Sequence, residues 1–194
     1  MMNQHGEILR STVRLARLAF SAAAASVFLY DEERGMLVFE ASSGIGEEFV
    51  LGAAIAPDAG VAGWVANTGE SAIIRGAASD PRFDTAFARG TGFVPDVLMA
   101  APVEFEGEVL GVLEVLDPKS DTIGGTSAVD LLTELAGQCG AALALILQDR
   151  AAQRRRAEPD GAVERLAQVL DRLNPAQETA VNDLFEVIER LTVR

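Results

Sequence analysis

The rhythm of apolar and polar positions changes several times along this chain, and each change predicts a different element. Residues 7–25 carry helical spacing: Ile8, Val13, Leu15, Leu18, Ala19 and Ala22 fall largely on one face, with Arg10, Arg14 and Arg17 on the other. Residues 26–30 and 37–41 then read as paired strands, joined by a turn over 31–35 that ends in Gly35. A loop over 42–46 follows, then a short ill-defined stretch opened by Glu47 and Glu48. A short strand over 53–56 is stopped by Pro57. A helix is predicted over 60–67, with Gly69 as its C-terminal cap, a strand over 71–74, and a loop over 80–92 with a helical turn around 85–88.

The segment 97–117 is the centre of the pattern. Two runs, 97–103 and 109–116, are apolar at almost every position and flank Phe105-Glu106-Gly107-Glu108. Gly107 can take positive φ without a Cβ penalty, as a tight hairpin turn requires. Strands apolar on both faces are central and covered on both sides, here by helix on at least one face. A long helix follows over 126–156, capped by Thr126 or Ser127 after the break at 123–125. Leu132, Leu135, Cys139, Ala142 and Ile146 recur in it at alternating spacings of three and four, the mark of a helix that meets another helix. After a linker at 158–161, Val163, Leu166, Leu170 and Leu173 repeat the spacing, and Val181, Leu184, Ile188 and Leu191 repeat it again. Asn174-Pro175 restarts the helix between them. Residues 158–194 are thus expected to form an αα-hairpin, and 1–157 the main domain.

The hairpin, with its apolar-Ala-Pro-Val entry and Val-Leu-Gly-Val-Leu-Glu-Val return, resembles the closing hairpin of a GAF domain. Three further segments resemble that family in order and spacing: Ser26 to Asp31 as a first strand, Ala54 to Glu70 as strand, Gly turn and short helix, and Asp80-Pro81-Arg82-Phe83 as the turn before a variable loop. The likeness covers residues 15–148. It implies an α+β fold, a central antiparallel sheet of about six strands flanked by helices.

Charge narrows the partners. The formal net charge is −13 with pI near 4.4, and Lys119 is the single lysine beside 15 arginines. Nucleic-acid backbones and anionic membrane surfaces call for a basic face, so neither is expected as a partner. The four arginines at 150 and 154–156 sit where cations offset the negative end of the long helix. The longest uncharged runs, 18–30 and 135–148, fall short of the roughly 20 residues of a membrane span. The basic, apolar N-terminus imitates a secretory signal, but Glu7 lies within it and cleavage near Ala25 would cut the first strand, so a cytoplasmic protein is expected. One cysteine, Cys139, permits no disulfide or cysteine zinc cluster within the chain.

Chemistry is sparse. The only histidine is His5, near the N-terminus, which leaves no Ser-His-Asp or Cys-His system and no axial haem ligand in the core. Cys139 reads as a small buried hydrophobe in the helix stripe, and does not match the cysteine that holds a bilin in GAF relatives. Relatives that reduce free methionine sulfoxide need several cysteines, and the Asn-Lys…Phe…Asp-Glu signature of cyclic-nucleotide relatives is missing. The resemblance instead implies a pocket between one sheet face, the short helix and the variable loop. It places Val61, Trp64 and Val65 on one wall, Phe83, Phe87, Thr91 and Phe93 on the loop side, and Met99 and Glu114 on the hairpin. Trp64 equally suits plain core packing. Glu114 interrupts an apolar strand, so it needs a hydrogen-bond partner, such as backbone or arginine, or a raised pKa.

Together these readings give a non-enzymatic sensory or regulatory module that binds a small molecule or a partner protein, its cofactor unspecified. It is expected to dimerise through Leu15, Leu18 and Ala22 of the first helix and Leu132, Leu135, Cys139, Ala142 and Ile146 of the long one, and to act on another chain. A structural adaptor with a vestigial pocket is the alternative, and a GAF-fold enzyme a third reading.

Overall fold

The computed structural model describes residues 4–119 and 126–157, and side chains over 6–119 and 127–145. The predicted αα-hairpin of the tail and the break at 123–125 lie outside the described residues, as does the side chain of Ile146. The chain divides into two compact units, Met1–Leu147 and Gln148–Arg194. The strands and the hydrophobic cores among the described residues belong to the first unit.

Helix α1 spans Gln4–Ala19, and strands β1 (Ala24–Asp31) and β2 (Met36–Gly44) form the first hairpin. Short helix α2 (Glu47–Val50) and strand β3 (Ala54–Ile55) lead to α3 (Gly60–Thr68) and β4 (Ala72–Arg75). A 3-10 turn, Ala77–Ser79, and helix α4 (Thr85–Gly90) precede the main hairpin, β5 (Val97–Phe105) and β6 (Glu108–Leu116), and α5 runs Thr126–Ala157. The six strands form one sheet in the order β3-β2-β1-β6-β5-β4, and every neighbouring pair is antiparallel. The expected antiparallel α+β architecture is therefore observed.

The main hairpin turns over two residues. Phe105 pairs with Glu108, and Glu106 and Gly107 between them have φ of 51° and 85°. Two consecutive positive φ values make the type I′ turn, whose twist matches that of the strands it joins. Gly69 caps α3 in the left-handed conformation, its N–H donating to the Val65 carbonyl. Both features follow from local chemistry.

The first helix is shorter than its spacing predicts. It ends at Ala19 rather than near residue 25, and Ser21 turns the chain with φ of 47°. Ala24 and Ala25 join β1, where they pair with β2 on one side and β6 on the other. Four successive alanines carry no helical contrast, and two ladders of backbone hydrogen bonds decide the matter. Ala22 is accordingly buried but beyond the helix.

Side chains alternate across the sheet and build two cores. On one face, Ala25 and Val27 of β1, Met99, Ala101 and Val103 of β5, and Leu113 and Val115 of β6 pack under α1 and α5. On the other, Phe28, Phe39, Leu98, Ala100 and Val112 meet α3 and the segment after it. Helix α5 lies close on β5, because a Cβ on Gly140 would overlap the Glu104 carbonyl oxygen. Among the described residues one stretch, Ser127–Leu145, is long and apolar enough to cross a membrane, with mean hydropathy 1.3. Its inner face, Ala128, Leu132, Ala136, Cys139 and Leu143, is buried in the α1 and α5 core, which is what a core helix presents.

Candidate functional site

The second sheet face carries a cavity of about 90 Å³. Its floor is the middle of the sheet and its roof is α3 and α4. Five aromatic rings wall it: Phe28 of β1, Phe39 of β2, Phe83 and Phe93 of the segments flanking α4, and Phe87 of α4. Phe28 and Phe39 have ring centroids 3.9 Å apart, and Phe39 stacks on Phe87 at 5.5 Å with 14° between planes. This stack joins a sheet strand to the short helix. Asp84 holds that helix by accepting from the Phe87 N–H at 2.9 Å, an N-terminal cap. Asp117 fixes the chain beyond it, accepting from the Asp96 and Val97 N–H groups at 2.8 Å each.

The floor is polar in one row. Glu114 on β6 pairs with Ser26 on β1, and Ser26 pairs with Ser42 on β2. All three line the cavity. The Ser26 and Ser42 hydroxyls are 3.0 Å apart, and the Ser42 hydroxyl donates weakly to the Ala25 carbonyl at 3.4 Å. Ser42 reaches this face through a bulge. Val27 pairs with Ala41 and Phe28 with Phe39, which leaves Glu40 unpaired and exposed. The extra residue reverses the alternation, so that Phe39 and Ser42 face the same side.

Glu114 is only 7% exposed. Among the described residues no group hydrogen-bonds to its side chain, so neither the backbone nor the arginine partner expected for it is present. Burial alone pushes its carboxyl up to about 8. Among the described residues the other titratable group on the lining is Asp84, and no arginine, lysine or histidine lines the cavity.

Of the residues expected at the pocket, Val61, Phe83, Phe87, Thr91, Phe93 and Glu114 line this cavity. Val65, Trp64 and Met99 do not. Met99 is fully buried on the opposite face, beneath α1 and α5. It pairs with Val115, whereas Ala100 pairs with Glu114, so Met99 and Glu114 point to opposite sides. Val65 is buried in the apolar core beside the cavity. Trp64 is half-buried at the edge of that core. At 3.6 residues per turn it stands roughly 60° outside the arc formed by Val61, Ala62 and Val65. The Arg82 guanidinium covers its ring at 5.0 Å, a cation–π contact. Asp80 orients that guanidinium with two bonds, 3.0 and 2.9 Å, and also accepts from the Arg82 N–H. These Arg82 bonds hold the Asp80 carboxyl below its ordinary value.

Sequence reading missed Phe28, Phe39, Ser26 and Ser42. The two serines carried a signal, as polar residues beside an apolar strand, but the bulge that aligns them leaves no trace in composition.

The expected dimer stripe divides. Leu132 and Cys139 are buried in the chain's own core, as is Ala22. Leu135 and Ala142 line a groove of about 200 Å³ with Leu15 of α1. Leu15 and Leu18 are 52% and 67% exposed. Cys139 is thus on the face away from the cavity, and burial raises its thiol above the ordinary value, a Thr12 hydrogen bond working the other way.

Comparison with known proteins agrees with this architecture. The chain is 26% identical over 145 residues to a probable 3',5'-cyclic phosphodiesterase, pde-5, of Caenorhabditis elegans, covering 70% of this chain and 20% of that protein. It therefore spans about a fifth of that relative's length. In fold it is similar to the GAF domain of a phosphoenolpyruvate-protein phosphotransferase from Coxiella burnetii, with TM-score 0.67, 21% identity and coverage of 76% and 86% of the two chains. It is also similar to residues 122 to 287 of a methyl-accepting chemotaxis protein, with TM-score 0.64, 20% identity and coverage of 74% and 90%. The GAF domain sequence pattern matches residues 5–144, most of the chain, and on this ground the protein belongs to the GAF domain family.

Proposed function

We propose that this GAF domain is a non-enzymatic sensory module whose cavity takes a small molecule, and that it acts as a helix-joined homodimer on a partner protein in the cytoplasm. The observation that carries the reading is Glu114, buried in the cavity floor with no described partner. Such a group costs stability unless something supplies hydrogen bonds. A ligand would do so and would at the same time brace α4 against the sheet through Phe87. Among the described residues no cysteine or histidine lines the cavity, Asp84 is occupied as a helix cap, and the Ser26 hydroxyl is bonded to Ser42 rather than to Glu114. This supports binding rather than catalysis. The exposed Leu15 and Leu18 and the groove at Leu135 support a helical contact with a second copy, the commonest closed arrangement being two-fold.

Native mass spectrometry of freshly purified protein tests the reading. The expected result is a small-molecule adduct that is lost on denaturation. A bare mass, together with no thermal stabilisation by any member of a metabolite panel, would refute it.

The small size of the cavity favours a second reading, a dimerisation adaptor whose pocket is vestigial. In that case Phe87→Trp, which fills the space, leaves partner binding unchanged; under the sensory reading it locks or abolishes the response.

A further inference from the structure

The chemistry of the cavity lining restricts its occupant further than the family does. Positive charge is lacking on every lining residue, so phosphate, carboxylate and other anionic groups would enter without a counter-charge. What the floor offers is mainly acceptors, beside the one acid proton that the buried Glu114 carboxyl carries at neutral pH. If Ser42 donates to the Ala25 carbonyl, Ser26 donates to Ser42, and the lone pairs of Ser26 remain open toward the cavity. Glu114 beside it has both carboxyl oxygens without a described partner. Its neighbour on β5, Ala100, is a buried apolar residue with no side-chain polar group to offer the carboxyl. An occupant must therefore bring N–H donors to this row.

Its shape is limited as well. The Phe39–Phe87 stack and the three further rings suit a planar body. The volume, about 90 Å³, is below the ~150 Å³ of a cavity that accepts benzene. One ring is the upper limit, and it enters with a small outward shift of the aromatic wall. That wall includes Phe87 on α4, a helix of six residues.

We infer that the cavity recognises a single-ring aromatic nitrogen heterocycle bearing an amino group next to its ring nitrogen, held by Glu114 and Ser26. Resting on the reading of this cavity as a ligand site, the inference names the chemistry of the ligand. The amino group donates one N–H to a carboxyl oxygen of Glu114 and the other to the Ser26 hydroxyl oxygen. The ring nitrogen pairs with the second carboxyl oxygen through one acidic proton. That proton lies between the two groups whether the acid is neutral and the ring is a base, or the carboxylate faces a protonated ring, so the two forms have the same composition. Two parallel bonds give the geometric selectivity of a bidentate pair.

Titration calorimetry at pH 7 with 2-aminopyridine, toluene and benzoate, on the full chain and on Glu114→Met and Glu114→Gln, decides the matter. The wild-type protein should bind 2-aminopyridine about tenfold or more tighter than toluene and should not take benzoate. Glu114→Met, of similar length without oxygens, should reverse that preference. Glu114→Gln keeps one donor and one acceptor and should retain most of the affinity, which separates loss of recognition from loss of fold. Equal affinity for 2-aminopyridine and toluene, a preference for benzoate, or an unchanged preference in Glu114→Met overturns the inference and leaves the cavity a ligand site of other chemistry. Absence of saturable binding by all three probes overturns the inference and removes the support for the ligand reading as well.

Discussion

Glu114 and Ser26 face each other across β6 and β1, both buried and both on the cavity floor, yet no hydrogen bond joins them. Ser26 is engaged with Ser42 instead, and the carboxyl is left to the cavity. A carboxyl in this position has consequences for stability, for ligand chemistry and for pH response.

The pH response has a definite sign. The Glu114 carboxyl moves from 4.5 in the unfolded chain to about 8 in the folded one. Between those values the folded state holds more protons, so stability falls as pH rises through the window and levels off above about 8. The full difference is roughly 5 kcal/mol, at about 1.4 kcal/mol per pH unit. Urea denaturation of wild type and Glu114→Gln at pH 5 and pH 8.5 reads it: the wild type should lose several kcal/mol relative to the variant. Parallel pH dependence in the two proteins would show that the carboxyl is solvated or paired.

Cys139 should resist a thiol reagent in the native state. It is buried against α1 and its thiol is raised by that burial, so little thiolate forms at neutral pH. Ellman's reagent should label one thiol per chain within seconds in about 6 M guanidinium, above the roughly 5 M midpoint that marks a hyperstable protein, and far more slowly in buffer. Rapid native labelling would contradict the packing and point to a redox-sensing role for this thiol.

Two glycines of α5 should behave oppositely on mutation to alanine. At Gly140 the new methyl overlaps the Glu104 carbonyl of β5, so helix and hairpin must part, at about 1–3 kcal/mol. At Gly137 nothing lies within 4 Å of the new Cβ. Helix propensity then dominates and Gly137→Ala should stabilise by up to about 1 kcal/mol. Thermal melts of the two variants measure the contrast.

If α1 and α5 form the seam of a homodimer, sedimentation equilibrium at micromolar concentration should give twice 20.5 kDa. Leu18→Asp should return the monomer mass with the fold intact, because Leu18 is 67% exposed, and Leu135→Asp should do so at some cost in stability, because Leu135 is half-buried against the core. Leu132→Asp should instead unfold the domain, since Leu132 is buried on the inner face of α5. A wild-type mass near 20.5 kDa would exclude the dimer.

What the sequence determined by itself was whatever rests on contacts between near neighbours. The Glu106-Gly107 turn, the Gly69 cap, the α3 helix and the two long apolar strands are each dictated by a few adjacent residues, and the GAF likeness was carried by those same segments. Of the nine residues that the likeness places at the pocket, six, among them Glu114 and Phe87, line the cavity. The tertiary structure decided three things that local pattern leaves open. Met99 sits in a strand apolar on both faces, so alternation alone assigns it to neither side; register with Val115 turns it toward α1 and α5. The alanines at 22–25 favour helix by propensity, and only the pairing of Ala24 and Ala25 with β2 and β6 overrides it. The polar row of the cavity floor exists only because the bulge at Glu40 brings Ser42 round to the face of Ser26 and Glu114. Each depends on which strand lies beside which, a relation between residues far apart in the chain, and short-range spacing holds no record of it.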